Sequence, residues 1–389
     1  MDILGYDDLW LKSSGAFDTA SEISGQPELW GKVYNMVINE RKEIQQYLDD
    51  VLPQVSRIIL TGAGTSAFIG LSLQGTFKRN LKRHTDAVPT TDLVTNPEDH
   101  FSADETIMMV SFARSGNSPE SKAAVDLGNK LSARCYNLII TCDPKGELAK
   151  FGSETSNLVL ILPPESNDRS LAMTGSYSGM LLCGVLVSRI NEVAKLESQV
   201  HALCLYGRRI LSGYSSKLKE MAGKNFQRVV FLGSGPFFGT ATESHLKLQE
   251  MTDGNIICKN DSYMGFRHGP KAVTNESTLM VFIFSNKDFT RQYEKDLVRG
   301  MKKGKKPLSS IAISEDRITD LNFDLMISIC DPGAEKCLDQ DLLPVCFILP
   351  GQLLGFYKSL ALGLKPDNPS VTGAISRVVE DVHIYNYSI

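Results

Sequence analysis

The hydrophobic positions of this chain fall into short unbroken runs, not alternating ones. Arg57-Ile58-Ile59-Leu60-Thr61-Gly62-Ala63-Gly64 is the first, and Arg228-Val229-Val230-Phe231-Leu232-Gly233-Ser234-Gly235 echoes it 171 residues later. At nearly the same offset, Glu105-Thr106-Ile107-Met108-Met109-Val110-Ser111-Phe112 parallels Ser277-Thr278-Leu279-Met280-Val281-Phe282-Ile283-Phe284. Two looser pairs follow: Leu138-Ile139-Ile140 with Ile311-Ala312-Ile313, and Leu158 to Leu162 with Leu325 to Ile329. Continuous apolar runs of this length are how strands buried on both faces of a parallel sheet read. A pattern written twice at one offset is the signature of a repeated unit.

Helical segments separate the runs. In the first half they are Ser66 to Leu81, Pro119 to Leu131 with proline at its start and Lys130 near its end, and the long apolar stretch Ala172 to Val193. Gly239 to Met251 and Arg291 to Lys303 take the corresponding places in the second half. Strand–helix alternation of this kind predicts an α/β chain of two tandem doubly wound parallel-sheet domains. The expected divisions are a helical N-terminal segment over 1–45, a first domain over 46–205, a second over 206–365 and a tail over 366–389. The N-terminal helix is expected to start at Gln26-Pro27 and to run to about Asp49, and the tail opens on the helix-breaking Lys365-Pro366-Asp367-Asn368-Pro369-Ser370.

Composition narrows the function classes. The 389 residues are 42% hydrophobic and 22% charged, with 41 basic against 45 acidic side chains and a net charge of −4. That balance offers no electrostatic footprint for nucleic acid. Lys302-Lys303-Gly304-Lys305-Lys306 reads as a solvated loop after a helix. The acidic start Met1 to Asp8 is unlike a secretory signal. Leu342 to Leu364 comes nearest to a membrane span, but Pro344, Pro350, Gln352 and Lys358 interrupt it, so a buried helix is expected. Eight cysteines (135, 142, 183, 204, 258, 330, 337 and 346) without a CxxC pair read as reduced core thiols. The expectation is a cytoplasmic protein with neither nucleic acid nor membrane as partner.

In doubly wound sheets ligands sit at the carboxyl ends of the strands, so the turns after each strand carry the chemistry. Thr61-Gly62-Ala63-Gly64-Thr65-Ser66 follows a strand and opens a helix, where glycines admit a ligand and free N–H groups attract an anion. A dinucleotide site would need a third glycine where Ala67 stands and a further strand, for which the sequence gives no signal. By itself the turn also fits a generic strand–helix connection. The next turn, Ser111-Phe112-Ala113-Arg114-Ser115-Gly116-Asn117-Ser118-Pro119-Glu120-Ser121, adds hydroxyls and a guanidinium that match phosphate geometry. The competing reading is an ordinary helix cap by Ser118. Two such turns on adjacent strands favour a phosphorylated small molecule. Their second-half counterparts, Gly233-Ser234-Gly235-Pro236 and Asn286-Lys287-Asp288, have lost these groups.

The second half carries titratable residues instead. Glu243, Lys247 and Glu250 share an arc of roughly 60° on one helix face, which spacing alone assigns to a solvated salt-bridge stripe. His268 stands in the turn Gly265-Phe266-Arg267-His268-Gly269-Pro270, where a structural role is the default. No His, Cys or carboxylate cluster has metal-ligand spacing, and neither metal nor cofactor is expected.

Together, Gly64-Thr65-Ser66, Arg114-Ser115-Gly116-Asn117-Ser118, Glu243-x-x-x-Lys247-x-x-Glu250 and His268-Gly269-Pro270 resemble the sugar isomerase (SIS) family of duplicated, flavodoxin-like phosphosugar-binding domains, over about residues 45 to 389. The chain is similar to the isomerase half of glucosamine-6-phosphate synthase. Leu60 to Gly70, Val88 to Pro97 and Gly265 to Lys271 resemble the galactosamine-6-phosphate deaminase and tagatose-6-phosphate ketose/aldose isomerase branch.

The resemblance implies that Thr65, Ser66, Arg114, Ser115 and Ser118 hold a sugar phosphate. It implies that Glu250 shuttles a proton between C1 and C2, that His268 opens the sugar ring, and that Lys247 is the charge partner of Glu250. Glu243 and Arg377 are further candidates. It also implies a homodimer or higher homo-oligomer whose site lies at the subunit interface, with His268 able to come from the partner. The synthase pattern has serine where Ala113 stands, glutamine at Arg114, and a C-terminal lysine to which Arg377 is the nearest cation.

Proton transfer beside a carbonyl needs one placed carboxylate near a cation, and ring opening suits a histidine. With no room for a glutamine-hydrolysing domain, such a site would release ammonia from an amino sugar and not install it. The expected reaction is galactosamine 6-phosphate and water to tagatose 6-phosphate and ammonia. A ketose/aldose isomerase without deamination, a non-catalytic phosphosugar regulator and a nucleotide-binding enzyme are the alternatives.

Overall fold

The computed structural model describes residues 2–153, 156–330, 338–379 and 382–387; Cys337 lies outside them. The repeated apolar runs become two five-stranded sheets. The first contains β1 (Arg57–Thr61), β2 (His84–Ala87), β3 (Thr106–Ala113), β4 (Arg134–Thr141) and β5 (Asn157–Ile161), in the order β2-β1-β3-β4-β5. The second contains β6 (Arg228–Leu232), β7 (Ile257–Asp261), β8 (Thr278–Ile283), β9 (Ser309–Ser314) and β10 (Leu325–Ser328), in the order β10-β9-β8-β6-β7. Every pairing in both sheets is parallel, with Thr61 opposite Ser111 in the first and Leu232 opposite Phe282 in the second. Read from opposite edges, the two orders are the same doubly wound, flavodoxin-like one. The expected fold class holds.

The helices used below are α1 (Phe17–Asn39), α2 (Arg41–Val51), α3 (Thr65–Leu81), α4 (Pro119–Leu131), α5 (Gly175–Ser188), α6 (Glu197–Ala222), α7 (Pro236–Met251), α8 (Tyr263–Phe266), α9 (Asp288–Met301) and α10 (Leu349–Ala361). The chain divides into two compact units. One comprises Met1–Glu28, Arg169–Thr174 and Ser198–Ala374, with the second sheet; the other comprises Leu29–Asp168, Gly175–Glu197 and Ile375–Ile389, with the first.

In the first-sheet unit, Ile59, Ile107, Met109 and Ile139 pack on one sheet face with Leu93, Phe101 and Val125. In the second, Val230, Met280, Phe282 and Phe284 pack with Tyr263, Phe266 and Leu297. All 14 residues of α5 are buried, which is why its sequence is apolar all round. The apolar run from Leu343 to Ser359 is buried as expected, in a five-residue helix (Leu343–Phe347) followed by α10.

Three expectations change. The N-terminal helical stretch is two helices, and α1 begins nine residues before Gln26, with Pro27 inside it. Fully buried Ala20, Ile23, Trp30, Val33 and Val37 recur at helical spacing through the proline, so packing overrides the local breaker. The strand found absent after the first glycine turn exists as β2, which carries Asp86. That carboxylate pairs with Arg57 at 3.4 Å and so braces the sheet. α7 and α9 each begin three residues earlier than expected, α7 with Pro236 at its first position.

Candidate functional site

The turn after β1 is shaped by glycine. A Cβ on Gly62 would stand 2.6 Å from the Ser66 Cβ and 2.7 Å from its carbonyl carbon, so only glycine lets the chain fold back this tightly. Gly64 caps α3 with φ +54°, and Ser66 and Ala67 close the turn by donating to the Ala63 carbonyl (3.1 Å) and the Gly64 carbonyl (2.9 Å). Thr65 and Ser66, each 4% exposed, therefore sit in the first turn of a 17-residue helix, at its positive end.

β3 ends beside this turn. Arg114 is buried there. The Cys142 N–H reaches the carbonyls of Ala113 and Arg114 at 3.3 Å each, and a Cβ on Gly146 would lie 2.2 Å from the Ser115 carbonyl oxygen. The Ser115 hydroxyl accepts from the Asn117 N–H at 3.3 Å, and Gly116 takes φ +65°. Ser118 caps α4, accepting from the Ser121 N–H at 3.3 Å and meeting the Ser121 hydroxyl at 2.6 Å. The bond that caps the helix thus also fixes the Ser118 oxygen. Both turns leave from β1 and β3, between which the strand order reverses, the usual ligand position of this topology.

Arg377 joins this cluster in an unexpected way. Its guanidinium donates to Asn167 Oδ1 (2.9 Å) and to the Asp168 carbonyl (2.9 and 2.6 Å), while its own carbonyl accepts from the Arg114 guanidinium.

Sequence reading assigned no role to three hydroxyls beside these turns, of which Thr90 is tied to the first by its N–H on the Gly62 carbonyl (2.9 Å). Thr61, Thr90 and Ser111 are buried, and none makes a hydrogen bond through its hydroxyl among the described residues. Thr61 closes β1 and stands in register with Ser111, two residues before the end of the neighbouring β3.

In the second-sheet unit the solvated stripe is overturned. Glu243 and Lys247 are buried and the Glu250 side chain is 23% exposed; the Lys247 ammonium lies 2.6 Å from Glu250 Oε2 and 3.4 Å from Glu243 Oε1. Ala241, Leu248 and Met251 on the other side of α7 are buried as well, so the helix is enclosed. α10 makes this possible with Gly351 and Gly355. A Cβ at the first would stand 2.5 Å from Ser244 Oγ, and one at the second 3.2 Å from the Lys247 carbonyl. One buried cation between two carboxylates needs this pairing, because an unpaired buried charge is costly.

His245, unremarked in the sequence, shares α7. Burial lowers its pKa, opposed by its hydrogen bond to the Thr242 backbone and by the charge of Glu250. His268 is exposed in the turn after α8, with its N–H on the Gly265 carbonyl (3.0 Å) and Gly269 at φ +131° behind it. Among the described residues its ring makes no hydrogen bond or ion pair, so the unit brings Glu243, Lys247 and Glu250 together and leaves His268 outside that network.

The second-sheet counterpart of the Arg114 turn is filled by its own side chains. Gln340 donates to Ser285 Oγ at 2.8 Å, Asn286 to Glu315 Oε2 at 2.8 Å, and the Ser285 N–H to Glu294 Oε2 at 2.9 Å. Among the described residues no group of three or more His, Cys, Asp or Glu is arranged to hold a metal.

The SIS domain pattern matches residues 52–188. Over 384 residues the chain is 37% identical to the D-galactosamine-6-phosphate deaminase AgaS of Shewanella sp. (strain ANA-3), covering 97% of this chain and 94% of that one. It is similar to the structure of a candidate tagatose-6-phosphate ketose/aldose isomerase from Clostridium novyi NT, at TM-score 0.96 and 36% identity over 100% of both chains. It is also similar to the tagatose-6-phosphate ketose/aldose isomerase from Escherichia coli, at TM-score 0.86 and 32% identity, covering 95% of this chain and 97% of that one.

Proposed function

The chain belongs to the D-galactosamine-6-phosphate deaminase AgaS family of SIS-domain proteins, and from that premise we propose that it converts D-galactosamine 6-phosphate and water to D-tagatose 6-phosphate and ammonia. The observation that supports the mechanism is the mostly buried but still accessible Glu250 held at 2.6 Å by a buried lysine.

Thr65, Ser66, Arg114, Ser115 and Ser118 hold the phosphate, with the N-terminus of α3 adding its dipole. His268 moves the proton that opens the ring and exposes the C1 aldehyde. Glu250 takes the proton from C2 as the C1 oxygen takes one from solvent, giving an enol at C1 and C2 that still carries the amine. Returning that proton to C1 leaves a C1 alcohol and a C2 iminium. Water adds to C2, the C–N bond breaks, and ammonia leaves with the ketone in place. Lys247 fixes the direction of the Glu250 carboxylate, and Glu243 balances the lysine from its other side.

We further infer that the working enzyme is a homodimer or higher homo-oligomer with the site at the subunit interface, His268 coming from the partner, and that it acts in the cytoplasm. Supporting the first is the exposed, unengaged His268 ring. Supporting the second are the buried thiols, of which Cys135 and Cys142 are pushed up to about 12 by desolvation.

Glu250→Gln tests the assignment: turnover should fall by about 10³-fold or more while phosphosugar binding, followed by calorimetric titration, stays within threefold. Unchanged turnover would remove Glu250 from the mechanism. A second reading, ketose/aldose isomerisation without deamination, is favoured by the names of the solved relatives. A panel of galactosamine, glucosamine, galactose and glucose 6-phosphates, read for ammonia and ketose, separates the two.

A further inference from the structure

Arg114 is buried, and the electrostatics of a phosphate cradle depend on where its guanidinium points. Its backbone is set by the turn after β3, but the tip of its long side chain is fixed by another part of the chain. The acceptor is the Arg377 carbonyl, 263 residues further on. Arg377 is itself pinned by three hydrogen bonds from its guanidinium to Asn167 Oδ1 and the Asp168 carbonyl.

That anchor is rigid for a visible reason. Asp168 is 1% exposed, and its carboxylate closes the N-terminus of α5 by accepting from the N–H groups of Gly175 (3.0 Å) and Ser176 (2.9 Å) and from the Ser176 hydroxyl (2.5 Å). A line of bonded groups therefore runs from the buried helix α5 through Asp168 and Arg377 to Arg114. The tail is held a second time, where Tyr387 donates to Glu98 Oε2 (3.2 Å) and its carbonyl accepts from Lys130 (3.0 Å).

A backbone carbonyl suits this task. A carboxylate in its place would orient the guanidinium but also oppose its charge, whereas a neutral carbonyl orients it without doing so.

We propose that Arg377 is a positioning residue for the phosphate-binding Arg114. It acts by presenting its backbone carbonyl from a site clamped on Asn167 and Asp168. The proposal rests on the reading of the Arg114 turn as the phosphate cradle. The Arg377 guanidinium is engaged by the anchor, through Asn167 Oδ1 and the Asp168 carbonyl, and is assigned no contact with substrate.

A double-mutant cycle on the full-length enzyme tests it, with ammonia release measured against galactosamine 6-phosphate concentration for Arg114→Ala, Arg377→Ala and the pair. Arg377→Ala should raise KM by about tenfold with kcat within twofold, and the double variant should be no worse than Arg114→Ala alone, the sign of one shared contribution. Arg377→Lys, which keeps a donor for the anchor, should recover part of the loss. KM increases that multiply in the double variant, or an Arg377→Ala enzyme with a lower melting temperature and unchanged KM, would overturn the positioning role and leave the cradle standing. An unchanged KM in Arg114→Ala would overturn the cradle itself and this proposal with it.

Discussion

At the scale of single residues, the fold takes several charges out of water. Lys247 is 1% exposed and neutralised by Glu243 and Glu250, so removing its ammonium leaves a fully buried Glu243 without its ion-pair partner. Lys247→Met should destabilise the protein by about 3–5 kcal/mol in urea unfolding, while Lys247→Met combined with Glu243→Gln should recover much of that loss. A second buried carboxyl belongs to Glu294 on α9. Desolvation pushes it up to about 7 against the opposing Ser285 N–H and Arg291 charge. The folded chain thus holds a proton that the unfolded chain has released between pH 4.5 and 7. Stability from this group is complete below the unfolded value and is lost as the pH rises through 7, by up to about 3 kcal/mol. Glu294→Gln should flatten the fall in urea midpoint between pH 5.5 and 8; a variant that keeps the full slope would contradict this.

At the scale of elements, α7 carries its acid and base groups inside the protein because α10 lies against it closely. Gly351→Ala places a Cβ 2.5 Å from Ser244 Oγ, and the helix must shift to admit it. A loss of about 1–3 kcal/mol is expected, with kcat falling more than KM changes because Glu250 moves with the helix.

The same contact explains what the sequence hid. The three residues Glu243, Lys247 and Glu250 read as solvated because helical spacing reports only neighbours on one helix, and the covering glycines lie a hundred residues away. The central strands were legible because burial on both faces makes them continuous apolar runs. β2 and β7 were not, since each is an edge strand of mixed polarity, His84-Thr85-Asp86-Ala87 and Ile257-Cys258-Lys259-Asn260-Asp261. Arg377 was visible as a cation near the C-terminus, but its use of a backbone carbonyl leaves no mark on residue type.

At the scale of the whole molecule, two sheets of one strand order carry different side chains at the same place. The first keeps hydroxyls and a guanidinium at its reversal point, and the second has filled the same place with Asn286, Glu315, Gln340 and Ser285. If His268 is supplied across a subunit interface, two inactive variants should rescue each other. Mixing Glu250→Gln with His268→Ala under conditions of subunit exchange should restore about a quarter of wild-type activity in a dimer with random pairing. Absence of rescue in demonstrably mixed oligomers would place both residues in one chain's site.

The central claim is the coupling of isomerisation to deamination, and product stoichiometry tests it most directly. Purified protein incubated with galactosamine 6-phosphate should release ammonia and tagatose 6-phosphate in equal amounts, with neither formed by Glu250→Gln. Ketose formed from galactose 6-phosphate, with no ammonia from the amino sugar, would contradict the account.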